Sequence, residues 1–135
     1  MRIAVGTDEV TPLTEALKEG LVDRGHEVVV VGEGTPWPDV GRGVGEVVAR
    51  GEADRGVVCC WTGTGVAIAA NKVPGVRAAL CTDAETARGA RRWNDANVLA
   101  IGLRLTSPTV ADEMIDAFLS TEPDDDERTT IALLE

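Results

Sequence analysis

Two carboxylates, a thiol and a hydroxyl are the side chains of this chain best placed by spacing to do chemistry. Asp8 and Glu9 stand side by side in the first loop, and Cys60 opens the run Cys60-Trp61-Thr62-Gly63-Thr64-Gly65. Glycines at 63 and 65 let the backbone approach a ligand closely, and amides at a helix N-terminus carry partial positive charge. Such a place stabilises an anion or a developing oxyanion, and it favours the thiolate form of a nearby cysteine. Thr62 adds a hydroxyl donor. The thiol is thereby a candidate base or nucleophile beside an oxyanion site. A base that removes a proton beside a carbonyl needs such a site, because the oxygen that takes up charge must be stabilised as the base works. A general base contributes about 10²- to 10⁴-fold, and one oxyanion donor about 10²- to 10³-fold. The plainer reading of the same residues is a strand-to-helix loop with packing cysteines.

Metal and disulfide chemistry are not expected. Cys59, Cys60 and Cys81 are three in number, no CxxC occurs, and His26 is the single histidine.

The elements that must position these groups follow from hydrophobic period. Strands are expected at Met1 to Gly6, His26 to Gly32, Arg55 to Trp61, Val76 to Thr82 and Asn97 to Gly102. Thr11-Pro12 opens a helix carrying Leu13, Ala16, Leu17 and Leu21, and Gly25 ends it. Val40, Val44, Val47 and Val48 mark a second helix closed by Gly51, although three internal glycines weaken its helical signal. Further helices are expected from Thr64 to Lys72, from Asp83 to Arg92, and after Ser107-Pro108. Five apolar strands alternating with five helices imply an α/β fold, a three-layer α/β/α Rossmann-like domain on a five-stranded parallel sheet. One domain over residues 1–120 is expected, with 121–135 as an acidic C-terminal tail ending in a short apolar stretch. Ligands of such sheets bind beyond the carboxyl ends of the strands, which is where Asp8, Glu9 and Cys60 fall.

Composition narrows the classes. Hydrophobic residues make up 44% and charged residues 27%, values of a soluble globular domain. A net charge of −10 argues against a nucleic-acid partner. No apolar run reaches about 18 residues, so no membrane partner is expected, and the first residues lack a secretory pattern, so a cytoplasmic location is expected. Between Thr121 and Glu135 six acids accompany a single arginine, the pattern of a solvated tail, while Thr129 to Leu134 can pack on the domain or on a partner.

The segments GEADRGVVCCWTGTGVAIAANKVPGVRAALCTD and WNDANVLAIGLR, with the opening MRIAVGTDE, resemble the ribose-5-phosphate isomerase B / galactose-6-phosphate isomerase family. The likeness spans residues 1 to about 120. It implies a Rossmann-like domain that interconverts an aldose phosphate and a ketose phosphate through a cis-enediolate, without metal or organic cofactor. It also implies a homodimer or homotetramer with active sites shared between subunits. On this resemblance Cys60 is the base, Thr62, Gly63, Thr64 and Gly65 hold the enediolate oxygen, Asp8 binds sugar hydroxyls, and Asn94 reaches a neighbouring subunit's site. The substrate is then a small sugar or sugar phosphate.

Four positions depart from that pattern. Glu9 stands where the family has histidine, Trp93 replaces the histidine that helps open the sugar ring, and Trp61 replaces the glycine after the cysteine. The basic C-terminal segment that holds phosphate is replaced by DDDERTTIALLE. Glu9 is therefore a candidate proton shuttle, and specificity is expected to be altered. The alternative is a catalytically impaired member that serves as a sugar-binding or partner subunit. All three tryptophans, Trp37, Trp61 and Trp93, fall at positions near the site, where they either form an apolar stacking pocket or cover an interface.

Overall fold

The short apolar runs become five strands: β1 (Arg2–Thr7), β2 (Glu27–Glu33), β3 (Arg55–Cys60), β4 (Ala78–Leu80) and β5 (Val98–Gly102). Helices α1 (Pro12–Asp23), α2 (Trp37–Ala49), α3 (Thr64–Asn71), α4 (Ala84–Asn94) and α5 (Pro108–Ser120) alternate with them. A 3₁₀ turn (Asp125–Glu127) and a short α6 (Arg128–Ala132) complete the computed structural model, which describes residues 1–135. No helix is long and apolar enough to cross a membrane.

All strands are parallel, in the order β2-β1-β3-β5-β4. The strands alternate their side chains between two cores. Ile3, Val5, Val57, Leu99 and Ile101 pack against α1, α4 and α5, while Ala4, Val58, Val98 and Ala100 pack against α2 and α3. The expected three layers are therefore present. From β1 the chain crosses to β2 on one side, and from β3 it crosses toward β4 on the other. The crevice between the loops after β1 and β3 is the switch point of the sheet.

Local chemistry sets most boundaries. Thr11 and Thr14 cap α1 reciprocally, the Thr14 amide donating to the Thr11 hydroxyl and the Thr11 amide to the Thr14 hydroxyl. Asp83 accepts from the Thr86 amide and Ser107 from the Val110 amide at the starts of α4 and α5. Two of the three glycines of α2, costly in an isolated helix, face α3, while Gly43 faces Val31 of β2. A Cβ at Gly41 would lie 2.6 Å from that of Ala69, and one at Gly45 would lie 3.1 Å from Val73. Packing of two helices at backbone distance offsets about 1 kcal/mol of propensity per glycine.

Two boundaries differ from expectation. The fourth strand spans Ala78–Leu80, not Val76 to Thr82. Val76 closes a turn onto Val73, and the Arg77 amide goes to the Asn97 side chain, so the ladder starts only at Ala78. On the open edge, Asn71 donates to the Ala78 carbonyl and accepts from the Ala78 amide, doing what a sixth strand would do. Helix α4 runs on to Asn94, so Trp93 and Asn94 lie in its last turn, ended by Asp95 with φ of 48°.

The segment after α5 lies along α4. Asp124 donates its amide to the Arg92 carbonyl and pairs with the Arg92 guanidinium, Glu122 pairs with Arg91, and Glu135 pairs with Arg77. Leu133 and Leu134 remain exposed.

Candidate active site

β3 is the middle strand and is buried from Gly56 to Cys60. Alternation sends Cys59 into the α1/α4/α5 core and Cys60 into the α2/α3 core, beside Val40 and Val66. Burial pushes the Cys59 thiol up to about 12, with smaller contributions from Cys60 and Asp8, and burial pushes Cys81 up to about 11. Both are neutral packing thiols at ordinary pH. Cys60, 5% exposed, stands at the carboxyl end of the strand, on the face from which α3 departs.

The loop after Cys60 is pressed onto the end of β5. The Leu103 amide donates to the Cys60 carbonyl and the Arg104 amide to the Trp61 carbonyl, each at 2.9 Å. Gly63 turns the chain at φ +78°, and a Cβ there would lie 2.6 Å from Leu80 and 2.9 Å from Gly102 N. Gly102 is equally confined, since its Cβ would lie 2.7 Å from the Thr62 carbonyl oxygen. Gly63 thus serves a backbone contact with β5. Gly65 instead makes room for a side chain from α2, because the Trp37 ring lies 2.9 Å from where its Cβ would be. Gly102 is the partner that sequence reasoning missed, and its signal is a glycine ending a fully apolar strand.

Gly63 gives α3 no side-chain cap, whereas Thr11, Asp83 and Ser107 cap α1, α4 and α5. The first amides of α3 are left to a ligand or water, and the helix dipole favours negative charge there. The Thr62 and Thr64 hydroxyls lie 2.8 Å apart at the same end.

Across the crevice, the Asp8 amide donates to the Cys59 carbonyl at 3.3 Å and ties the two loops together. Asp8 Oδ1 is buried and has no hydrogen-bond partner. Burial, and secondarily the charge of Glu9, raise the Asp8 carboxyl above its usual range. An acceptor so placed suits a ligand hydroxyl. The fold disfavours the ionised form, so this group's contribution to stability declines as pH rises from about 4. Asp8→Asn is expected to remove that decline and to raise the urea midpoint at pH 7 but not at pH 3. Equal midpoints at pH 7 would contradict the burial of this charge.

Trp61, 57% exposed, leaves the loop toward solvent beside Arg104, an arginine that makes no ion pair. The other arginines near the expected site are committed: Arg88 to Glu85, Arg91 to Asp95, Arg92 to Asp124. The structure therefore brings Asp8, Glu9, Trp37, Cys60, Trp61, Thr62, Gly63, Thr64 and Gly65 to one edge of the sheet. Trp93 and Asn94 are not among them. α4 starts at the carboxyl edge and runs back about 16 Å over its 11 residues. Within one chain the three tryptophans do not line one pocket. His26 also lies at the amino edge, its Nδ1 2.9 Å from the N-terminal amine. No three histidine, cysteine or carboxylate side chains converge to hold a metal ion.

Comparison with known proteins places the whole chain and its fold. The chain is 41% identical over 127 residues to galactose-6-phosphate isomerase subunit LacB of Clostridium acetobutylicum, covering 90% of this chain and 73% of that protein. It is 40% identical to ribose-5-phosphate isomerase B of Escherichia coli, over 90% of this chain and 85% of that one. D-erythrulose-4-phosphate isomerase of Pectobacterium atrosepticum is 37% identical over 90% and 84%. The fold superposes on ribose-5-phosphate isomerase B of Clostridium thermocellum with a TM-score of 0.94 and 39% identity, covering 99% and 95% of the two chains. The family model described as Ribose/Galactose Isomerase matches residues 3–133. With the family model spanning nearly the whole chain and the fold superposing throughout, the chain belongs to the ribose/galactose isomerase family, a family of sugar isomerases.

Proposed function

We propose that this chain interconverts an aldose phosphate and a ketose phosphate through a cis-enediolate, with Cys60 as the base. The observation that carries the reading is the placement of Cys60. It is the one thiol on the α3 side of the sheet mouth, beside an uncapped helix N-terminus and opposite the unpartnered Asp8 oxygen. In the forward direction Cys60 Sγ takes the proton from C2, and the C2–H electrons form the C1–C2 double bond as the carbonyl π electrons move to O1. The Thr62 hydroxyl and the amides of Gly63, Thr64 and Gly65 stabilise that oxygen. Glu9 carries the O2 proton to O1, and the Cys60 proton returns to C1 as O2 becomes the carbonyl. Asp8 accepts from a substrate hydroxyl. Asp8→Asn, which keeps an acceptor but loses the charge, is expected to lower kcat/KM about 10- to 100-fold. Trp93 and Asn94, remote from this edge within one chain, act from a second copy, so the working unit is a homodimer or a larger assembly.

The substrate that fits is short and open-chain. A four-carbon aldose esterified on O4, the aldose isomer of the D-erythrulose 4-phosphate in the name of one relative, has no hydroxyl left to close a furanose ring. No histidine is then needed to protonate a ring oxygen, and none is present at this edge. Arg104 is the cation free to meet the phosphate. Trp37 and Trp61 supply apolar walls.

Hydrogen exchange at C2 in D₂O, followed by NMR, tests both statements on erythrose 4-phosphate, ribose 5-phosphate, allose 6-phosphate and galactose 6-phosphate. Exchange fastest with the tetrose is expected. Equal or faster exchange with ribose 5-phosphate would overturn the substrate length alone. No exchange with any would favour a partner-subunit role, which the similarity to a protein named as a subunit also supports.

A further inference from the structure

The corner formed by Trp93 and Asn94 is held by a segment more than 25 residues away in sequence. Arg92 donates from Nε at 3.3 Å and from Nη2 at 3.1 Å to the two Asp124 carboxylate oxygens, while the Asp124 amide returns a bond of 2.9 Å to the Arg92 carbonyl. The Arg92 guanidinium carbon in turn sits 5.9 Å from the centroid of the Trp93 ring, within cation–π range. Beneath the indole is Gly89, one helical turn back. A Cβ there would meet the ring at 2.6 Å. Thr130, Ile131, Leu133 and Leu134 of the C-terminal segment line a groove along the remaining side of Trp93 and Asn94. The indole thus has a floor with no side chain, a cation over its face and a wall, and both the cation and the wall depend on residues after Thr121.

We propose that Asp124 and Gly89 are positioning residues: Asp124, through Arg92, and Gly89, through its missing side chain, fix one orientation of the Trp93 indole. That orientation is the one this chain presents to the site of a second copy. The functional half of this statement rests on the isomerase reading above; the structural half does not. Half of the six acids in the C-terminal segment then have a specific task, since Glu122, Asp124 and Glu135 each meet a cation on or beside α4. A freely solvated tail would leave Trp93, already half exposed, to sample several rotamers. A ring that must contact substrate from across an interface loses affinity by such freedom, because its rotamer entropy is then lost on binding.

The test uses the full-length protein labelled with 5-fluorotryptophan. Its three ¹⁹F resonances are assigned with single Trp→Phe variants, and KM and kcat are measured on the substrate that exchanges fastest. Asp124→Asn and Gly89→Ala are each expected to move or broaden the Trp93 resonance while those of Trp37 and Trp61 stay in place. KM is expected to rise about two- to fivefold, the range of an exposed ion pair, with kcat unchanged. Asp124→Glu should restore both readouts. At about 1 M salt, where screening acts over about 3 Å, wild type should approach Asp124→Asn while Gly89→Ala stays distinct. A Trp93 resonance indifferent to Asp124→Asn overturns the proposal, and so does a shifted resonance with unaltered KM. A wild type that turns over no sugar phosphate, yet shows the Trp93 shift, defeats the isomerase reading and leaves the clasp standing.

Discussion

Exchanging Cys60 for alanine is expected to lower kcat by about 10²- to 10⁴-fold, the contribution of a general base, with little change in KM. The reason is positional. Two of the three thiols are buried at about 12 and about 11 and stay protonated. Only Cys60 combines the mouth of β3 with the N-terminus of α3. Its removal leaves the α3 amides, Thr62 and Asp8 in place, so binding survives while the C2 proton has no acceptor. Cys60→Ser is expected to behave like the alanine variant, because a hydroxyl ionises far less readily than a thiol. The alanine exchange vacates one sulfur beside Val40 and Val66, at a stability cost of about 1 kcal/mol, which urea unfolding separates from lost chemistry. Loss of ²H incorporation at C2 in step with lost turnover is the decisive readout. Undiminished turnover by Cys60→Ala removes cysteine from the mechanism and leaves a carboxylate as the base.

The second large effect concerns the fold. Arg91, 1% exposed, lies inside the last turns of α4. Its Nε donates to the Thr121 carbonyl at 3.0 Å, and its Nη1 donates to the Ala96 carbonyl at 2.6 Å and to Asp95 Oδ1 at 2.9 Å. Its guanidinium carbon sits 5.8 Å from the centroid of Phe118. One planar group therefore joins α4, the turn into β5, and the end of α5. Arg91→Leu leaves two carbonyls without donors and is expected to cost about 3 kcal/mol. The urea midpoint should fall by about 1.5 M. Arg55 offsets a fraction of this, since burial and the neighbouring Arg91 charge both hold its guanidinium below its usual range. Arg91→Lys is not expected to rescue, because an ammonium lacks the fork that reaches these carbonyls together. A midpoint shift under about 0.3 M for Arg91→Leu would show that water replaces these bonds.

Much of this was legible in the residues. Short apolar strands, with Thr11-Pro12 and Ser107-Pro108 before helical periods, fix alternation and hence the parallel sheet. The placement of Cys60 and Asp8 at the crevice was legible because strand ends in such a sheet face it. The true role of the α2 glycines was hidden, since an approach of α3 to backbone distance leaves no mark within α2 itself. The start of β4 was hidden for a like reason, because the Asn97 side chain that displaces it lies 20 residues away. Trp93 was readable in kind but not in place. Its distance from Cys60 follows once α4 is known to run antiparallel to the strands for three turns. The pairing of Asp124 with Arg92 had no signal at all, since across 32 residues charge alone names many partners.

The mutual confinement of Gly63 and Gly102 bears on how such an enzyme can diversify. Any side chain at either position collides with the backbone of the other loop, so a single substitution cannot reshape this turn. The amide constellation is in effect locked against stepwise change. Trp61 is under no such constraint, for its backbone is held by Arg104 while its side chain meets solvent. Under the proposed enediolate reaction, variation in what is bound can therefore accumulate at position 61 without disturbing where charge is stabilised. In this loop, substrate range and chemical step are separable by inheritance.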